Sequence, residues 1–230
     1  MNNAVERKMS TREMVAGIVT TVAFVIMFIS GIAGIVDIIG FLIELSKNEF
    51  PSMGSMIVSQ IPAILLSLAS MLASILLAAY CGLNVILKGK RIRALYVAGF
   101  VILMLVFAFS ILSNLISLIS SVTNGWVDWY FVVTICFNIL MNALASLACL
   151  FSIIAGFVKK PKAVKAATAI AVILFVLGAA LAFVQGGLVI IHGADFLSVL
   201  KNVFGTVPYQ IVRLVAYAGT LIFLRPVKKQ

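Results

Sequence analysis

Residues 208–224 read PYQIVRLVAYAGTLIFL, an apolar run with Arg213 set inside it. Whether this stretch crosses a membrane decides how many helices the fold has and which side each end of the chain occupies. A full charge within a spanning helix costs roughly 2.5 to 3.5 kcal/mol on insertion scales, and an arginine that sits there faces a partner or a wet cavity. The rest of the chain supplies the context for deciding.

Of the 230 residues, 63% are hydrophobic and 10% charged, with a mean hydropathy of +1.23. Soluble domains carry about 25% charged and about 45–50% apolar residues, so an aqueous globular fold is excluded. The prediction is an all-α, polytopic membrane protein with one transmembrane domain over residues 1–230. Apolar runs at about 14–45, 55–87, 94–121, 130–158, 164–191 and 207–224 meet or exceed the roughly 17 to 25 residues that cross a ~30 Å hydrocarbon core. Asn124-Gly125, flanked by Trp126, Trp129 and Tyr130, reads as a tight turn with an interfacial aromatic belt. Before the last run, ADFLSVLKNVF places Phe196, Val199, Leu200, Val203 and Phe204 on one face, which predicts a short amphipathic helix lying in the interface.

The basic residues settle the doubtful span. Lys and Arg number three before the first run (Arg7, Lys8, Arg12), one after it (Lys47) and four before the third (Lys88, Lys90, Arg91, Arg93). None falls between the third and fourth runs, four surround Pro161 (Lys159, Lys160, Lys162, Lys165), one precedes the last run (Lys201) and three follow it (Arg225, Lys228, Lys229). The positive-inside rule assigns the rich segments to the cytoplasm. Their alternation requires a sixth helix at 207–224, giving three hairpins with both termini cytoplasmic. The first run is far longer than the roughly 7–15 apolar residues of a cleavable signal, so it is expected to stay as a helix. The absence of any N-x-S/T sequon fits a bacterial cytoplasmic membrane.

A net charge of +10 would suggest nucleic acid in a soluble protein; here the clusters set topology, and no nucleic-acid partner is expected. Cys81, Cys136 and Cys149 lie inside apolar runs without CxxC spacing and read as small packing residues. His192 is the single histidine, and no HExxH, GxSxG or phosphate-binding glycine loop occurs. Neither an enzyme nor a metal or other cofactor is expected.

Polar residues at helical spacing show which faces meet a neighbour or a cavity. The second run carries Ala63, Ser67, Ser70, Ser74, Ala78 and Cys81, a small-residue packing face. Asn138, Asn142, Ser146 and Cys149 share a face in the fourth run; Gly178, Ala182, Gln185 and His192 do so in the fifth, and Gln210, Arg213, Tyr217 and Thr220 in the sixth. With the inferred topology, Asp37, Gln60, Asn114, Asn138, Asn142, Gln185, His192, Gln210, Arg213 and Tyr217 form the candidate pocket, biased to the outer halves of their helices. One reading is an outward-facing polar cavity for a small solute or ion. The other is that Asn and Gln bond across helices, at about 0.6 to 2 kcal/mol each. Arg213 has three roles open to it: snorkelling to the outer surface, pairing with Asp37, or standing free for an anionic ligand.

The expected function is that of an integral membrane transport component that binds or passes a small solute, alone or as the membrane subunit of a larger transporter. Its partners are then the lipid bilayer and other membrane or motor subunits, since no nucleotide-binding motif is present. The alternative is a non-transporting interaction protein, such as a scaffold, accessory or immunity subunit.

Overall fold

The computed structural model describes residues 10–47, 53–87, 93–125, 128–158, 160–191 and 207–224. Six helices account for almost all of them: α1 Thr11–Lys47, α2 Met53–Ile86, α3 Arg93–Thr123, α4 Trp129–Phe157, α5 Pro161–Ile191 and α6 Val207–Thr220, the last continued by a 3-10 turn at Leu221–Leu224. No strand occurs among the described residues. The segment expected to form an amphipathic interfacial helix, His192, and most of the basic residues between helices lie outside the described residues.

Each helix start and stop has a local cause. Ser10 caps α1: Glu13 N–H donates to Ser10 Oγ at 3.2 Å while Ser10 N–H donates to Glu13 Oε2 at 3.1 Å, a reciprocal capping box. Asp128 caps α4, accepting from Tyr130 N–H at 3.4 Å. Gly125 supplies the left-handed residue (φ 71°) that turns the chain out of α3. Pro161 opens α5 at the first helical position, where its missing N–H costs nothing.

Five helices are long and apolar enough to cross a membrane, and α6 is shorter. Its 14 α-helical residues and four 3-10 residues rise about 21 Å and about 8 Å, together close to a ~30 Å hydrocarbon core. Large apolar side chains stand exposed on the long helices, among them Ile29, Leu65, Phe109, Ile116, Ile119 and Ile173. In water such a surface would drive aggregation; in lipid it is the required solvent contact. The chain is an all-α polytopic membrane protein.

Consecutive helices pack side by side from α1 to α5, and α6 inserts against α1 and α5, closing the arrangement. Although α6 is the shortest helix, Ala216, Tyr217, Thr220, Leu221, Phe223 and Leu224 are all buried. The burial is distributed unevenly along the bundle. At the end carrying both termini, α1 buries Thr20, Ala23, Phe24 and Met27; α2 buries Leu77, Tyr80, Cys81 and Asn84; and α3 buries Tyr96, Phe100 and Leu103. Toward the opposite end, the described parts of α1 beyond Met27 and α3 beyond Phe107 contribute no buried residue, and Ile135 and Ala182 are the buried residues of α4 and α5.

Close packing at the terminal end depends on missing side chains. A Cβ on Gly219 would run into Thr20 Oγ1, and one on Gly99 would sit 2.6 Å from Leu77 Cγ. Thr20 cannot easily yield, because it is branched at Cβ and its hydroxyl donates to Ala16 O at 2.7 Å. Aromatic rings fill the space these contacts enclose: Tyr80 and Tyr96 lie 5.1 Å apart, Tyr96 and Phe100 4.9 Å, and Tyr80 and Phe223 6.2 Å. Tyr96 also donates its hydroxyl to Ser152 O on α4 at 2.7 Å, so the buried phenol is satisfied.

Gly219→Ala should therefore lower stability by about 1 to 3 kcal/mol through overpacking. Adding Thr20→Ala should restore part of the loss, whereas Gly34→Ala, whose Cβ meets nothing within 4 Å, should cost nothing. Thermal unfolding of the detergent-solubilised variants checks this; equal losses at Gly219 and Gly34 would contradict it.

Candidate functional site

The helices that close tightly at one end leave a cavity of about 300 Å³ toward the other, lined by α4, α5 and α6. Its polar residues are Asn138 and Asn142 from α4, Gln185 from α5, and Gln210, Arg213 and Tyr217 from α6. Met141, Ala145, Leu174, Phe175, Gly178, Ala179 and Leu214 supply the apolar wall. Ligand pockets span about 300–1,000 Å³, so the space is of the size that holds a small solute.

Helical spacing explains the lining. On α4, Asn138, Met141, Asn142 and Ala145 follow at i, i+3, i+4 and i+7, which is one face. The same holds for Gln210, Arg213, Leu214 and Tyr217 on α6. On α5 the wall is built from small residues, Gly178 and Ala179, between Phe175 and Gln185. Small residues let α4 and α5 approach: a Cβ on Gly178 would lie 3.9 Å from Met141 O.

The amides are partly committed to holding the site open. Gln185 Nε2 donates to Asn138 Oδ1 at 3.1 Å, joining α5 to α4 across the cavity wall. Asn142 Nδ2 donates back to Asn138 O at 2.8 Å within its own helix. Asn138 and Gln185 thus bond across helices and also line the cavity, whereas Asn142 lines it while bonding within α4.

Arg213 is half-buried at this level. Its Cζ lies 5.5 Å from the centroid of Phe107, 6.0 Å from Tyr209 and 5.9 Å from Tyr217, and Nη1 donates to Gln210 Oε1 at 3.4 Å. Ring faces stabilise a guanidinium by about 0.5 to 2 kcal/mol each, depending on desolvation. They come from two helices, α3 and α6, so they also fix its position. The cavity ends at Phe175 and Tyr217, whose rings are 5.0 Å apart, with Phe24 6.0 Å from Tyr217 on the α1 side.

Three candidates fall elsewhere. Asp37 is exposed on α1, flanked by Gly34 and Gly40, whose Cβ positions face open space, and no ion pair joins it to Arg213 among the described residues. The pairing alternative fails because no described residue of α1 beyond Met27 is buried. Gln60 is half-buried on α2 and does not line the cavity. Asn114 bonds within α3, its Nδ2 donating to Ser110 O at 2.7 Å. His192 lies outside the described residues.

Two contributors, Tyr209 and Phe107, were not singled out from the sequence. Tyr209 precedes Arg213 by four residues and Tyr217 follows it by four, a spacing that could have marked an aromatic clasp around the charge. Phe107 carries no such mark, since nothing in sequence ties α3 to α6. Of the small-residue stripe on α2, Ser74 and Cys81 are buried in the core, as a packing face requires.

Compared with protein-family models, curated proteins and solved structures, the chain matches none, so its function has to be argued from this geometry.

The Asn138–Gln185 bond is expected to couple α4 and α5 by about 0.6 to 1.7 kcal/mol. A double-mutant cycle of Asn138→Ala and Gln185→Leu, read by reversible unfolding in mixed micelles, should return a coupling in that range; strict additivity would show that the bond contributes nothing.

Proposed function

We propose that this protein is a membrane solute-binding component, holding a small polar solute in the cavity between α4, α5 and α6. The observation that supports this most is convergence: polar side chains from three helices meet over an apolar wall, around a space large enough for a solute and bounded at one end by the rings of Phe175 and Tyr217. Ligand sites likewise set placed polar groups against apolar surface, and here the polar share is large. Close packing elsewhere in the bundle would have been satisfied by Ala, Ser and Leu.

On this reading the basic clusters put the terminal end in the cytoplasm, and the cavity faces outward across a bacterial-type cell membrane. Binding rather than catalysis is favoured by the lining itself, whose ionisable members are Arg213 and Tyr217. A hydrolytic or acyl-transfer site needs a nucleophile beside a base, and that pair is not among them. Passage of the solute requires the ring layer at Phe175 and Tyr217 to part, by a coupled ion or a separate motor subunit. The accessory-subunit alternative would leave the polar convergence without a role.

Native mass spectrometry of protein extracted in mild detergent should show a bound small molecule. Ala145→Trp, which fills the cavity, should abolish that adduct while the protein keeps its helical content and elution volume. Leu147→Trp, at an exposed site on the same helix, should retain it. An adduct that survives Ala145→Trp, or no adduct in the unaltered protein, would count against a solute site.

A further inference from the structure

The cavity carries a positive charge that no described carboxylate neutralises. Among the described residues, every other polar side chain lining it is a neutral amide or a phenol, and none forms an ion pair with Arg213. An arginine at membrane depth without a counter-ion is costly, and the three rings beside it reduce that cost without supplying a carboxylate or other anionic acceptor for its N–H groups. Gln210 Oε1, at 3.4 Å, is a long contact for a charged donor.

We propose that the solute is a small carboxylate, its carboxyl group held by the guanidinium fork of Arg213 and its apolar body lying against Leu174, Phe175 and Leu214. This rests on reading the cavity as a solute site and adds the ligand's class. Four points lead there. A cation would meet a like charge in a partly desolvated site, where repulsion is weakly screened. A neutral solute could accept a hydrogen bond from the guanidinium but would leave its charge uncompensated. A planar carboxylate matches the fork with two parallel hydrogen bonds, which is why arginine serves where carboxylates are recognised. A phosphate dianion would leave one negative charge uncompensated beside a single cation, whereas a carboxylate brings the site to neutrality.

The test uses the unaltered protein in nanodiscs, with butyrate, hexanoate, octanoate and benzoate, each beside its primary amide and primary amine, and thermal unfolding as the readout. At least one carboxylate should raise the unfolding midpoint with an apparent Kd at least tenfold below that of its amide, and the amines should have no effect. Arg213→Gln should erase the carboxylate preference, and Arg213→Lys, which keeps the charge but not the fork, should retain only part of it. Should Arg213→Gln fail to fold, the matched probes on the unaltered protein and Arg213→Lys decide the matter. Palmitate separates a lipid-derived carboxylate from a free solute; in a cavity of about 300 Å³ it should bind worse than the short acids.

Amides or amines that bind as well as the acids, or a preference that survives Arg213→Gln, would overturn the carboxylate assignment while leaving the solute cavity standing. So would silence from the whole series with an adduct still visible in the native mass spectrum. Silence with no adduct would remove both.

Discussion

The layer of rings formed by Phe24, Phe175 and Tyr217 is where the bundle changes character. Below it, toward the termini, α6 lies against α1 closely enough that Gly219 has no room for a side chain beside Thr20. Above it the helices no longer bury continuous apolar faces, and amides and a guanidinium occupy the space between α4, α5 and α6. Tyr217 belongs to both regions, since it is buried in the core and lines the cavity. Lipid tails are as apolar as Leu and give helices no hydrophobic reason to associate. Close approach, interhelical bonds and shape must hold the bundle: the Gly219 and Gly99 contacts and the Tyr96–Ser152 bond act at the terminal end, and the Asn138–Gln185 bond acts at the other.

The change in burial and polarity across the ring layer gives α6 its unusual position. Among the described helices it is the shortest and most polar, yet it is buried against its neighbours, while longer and more apolar helices face lipid. A charge on a lipid-facing helix would have to snorkel to the interface. Placed inward, Arg213 is instead surrounded by Phe107, Tyr209 and Tyr217 and positioned beside the cavity. The feature that made residues 208–224 doubtful as a span is thus the one that fixes their place in the bundle.

The helix count and span limits were legible because a 20-residue apolar run has few alternatives, and because the distribution of lysine and arginine argued for a sixth helix. So was most of the cavity: Asn138, Asn142, Gln185, Gln210, Arg213 and Tyr217 stand out as polar stripes on otherwise apolar helices. Rotation of each helix about its own axis was less legible. With apolar residues on every side, α1 gives little sign of which face turns inward, and depth alone made Asp37 seem a partner for Arg213. Asn114 misled for another reason, since its amide is satisfied within its own helix. Phe107 was invisible because the approach of α3 to α6 is a property of the assembled bundle.

Water should therefore reach the polar half of this protein and stop at the ring layer. Single cysteines on a background lacking Cys81, Cys136 and Cys149 measure this directly, through reaction with a membrane-impermeant thiol reagent applied to each side of the membrane in turn. Asn142→Cys, Gln185→Cys and Gln210→Cys should react from one side only, and Ala155→Cys and Thr220→Cys from neither. Uniform protection of all five positions, or reaction at Ala155 and Thr220 as readily as at the cavity positions, would contradict a bundle that is open at one end and sealed at the other.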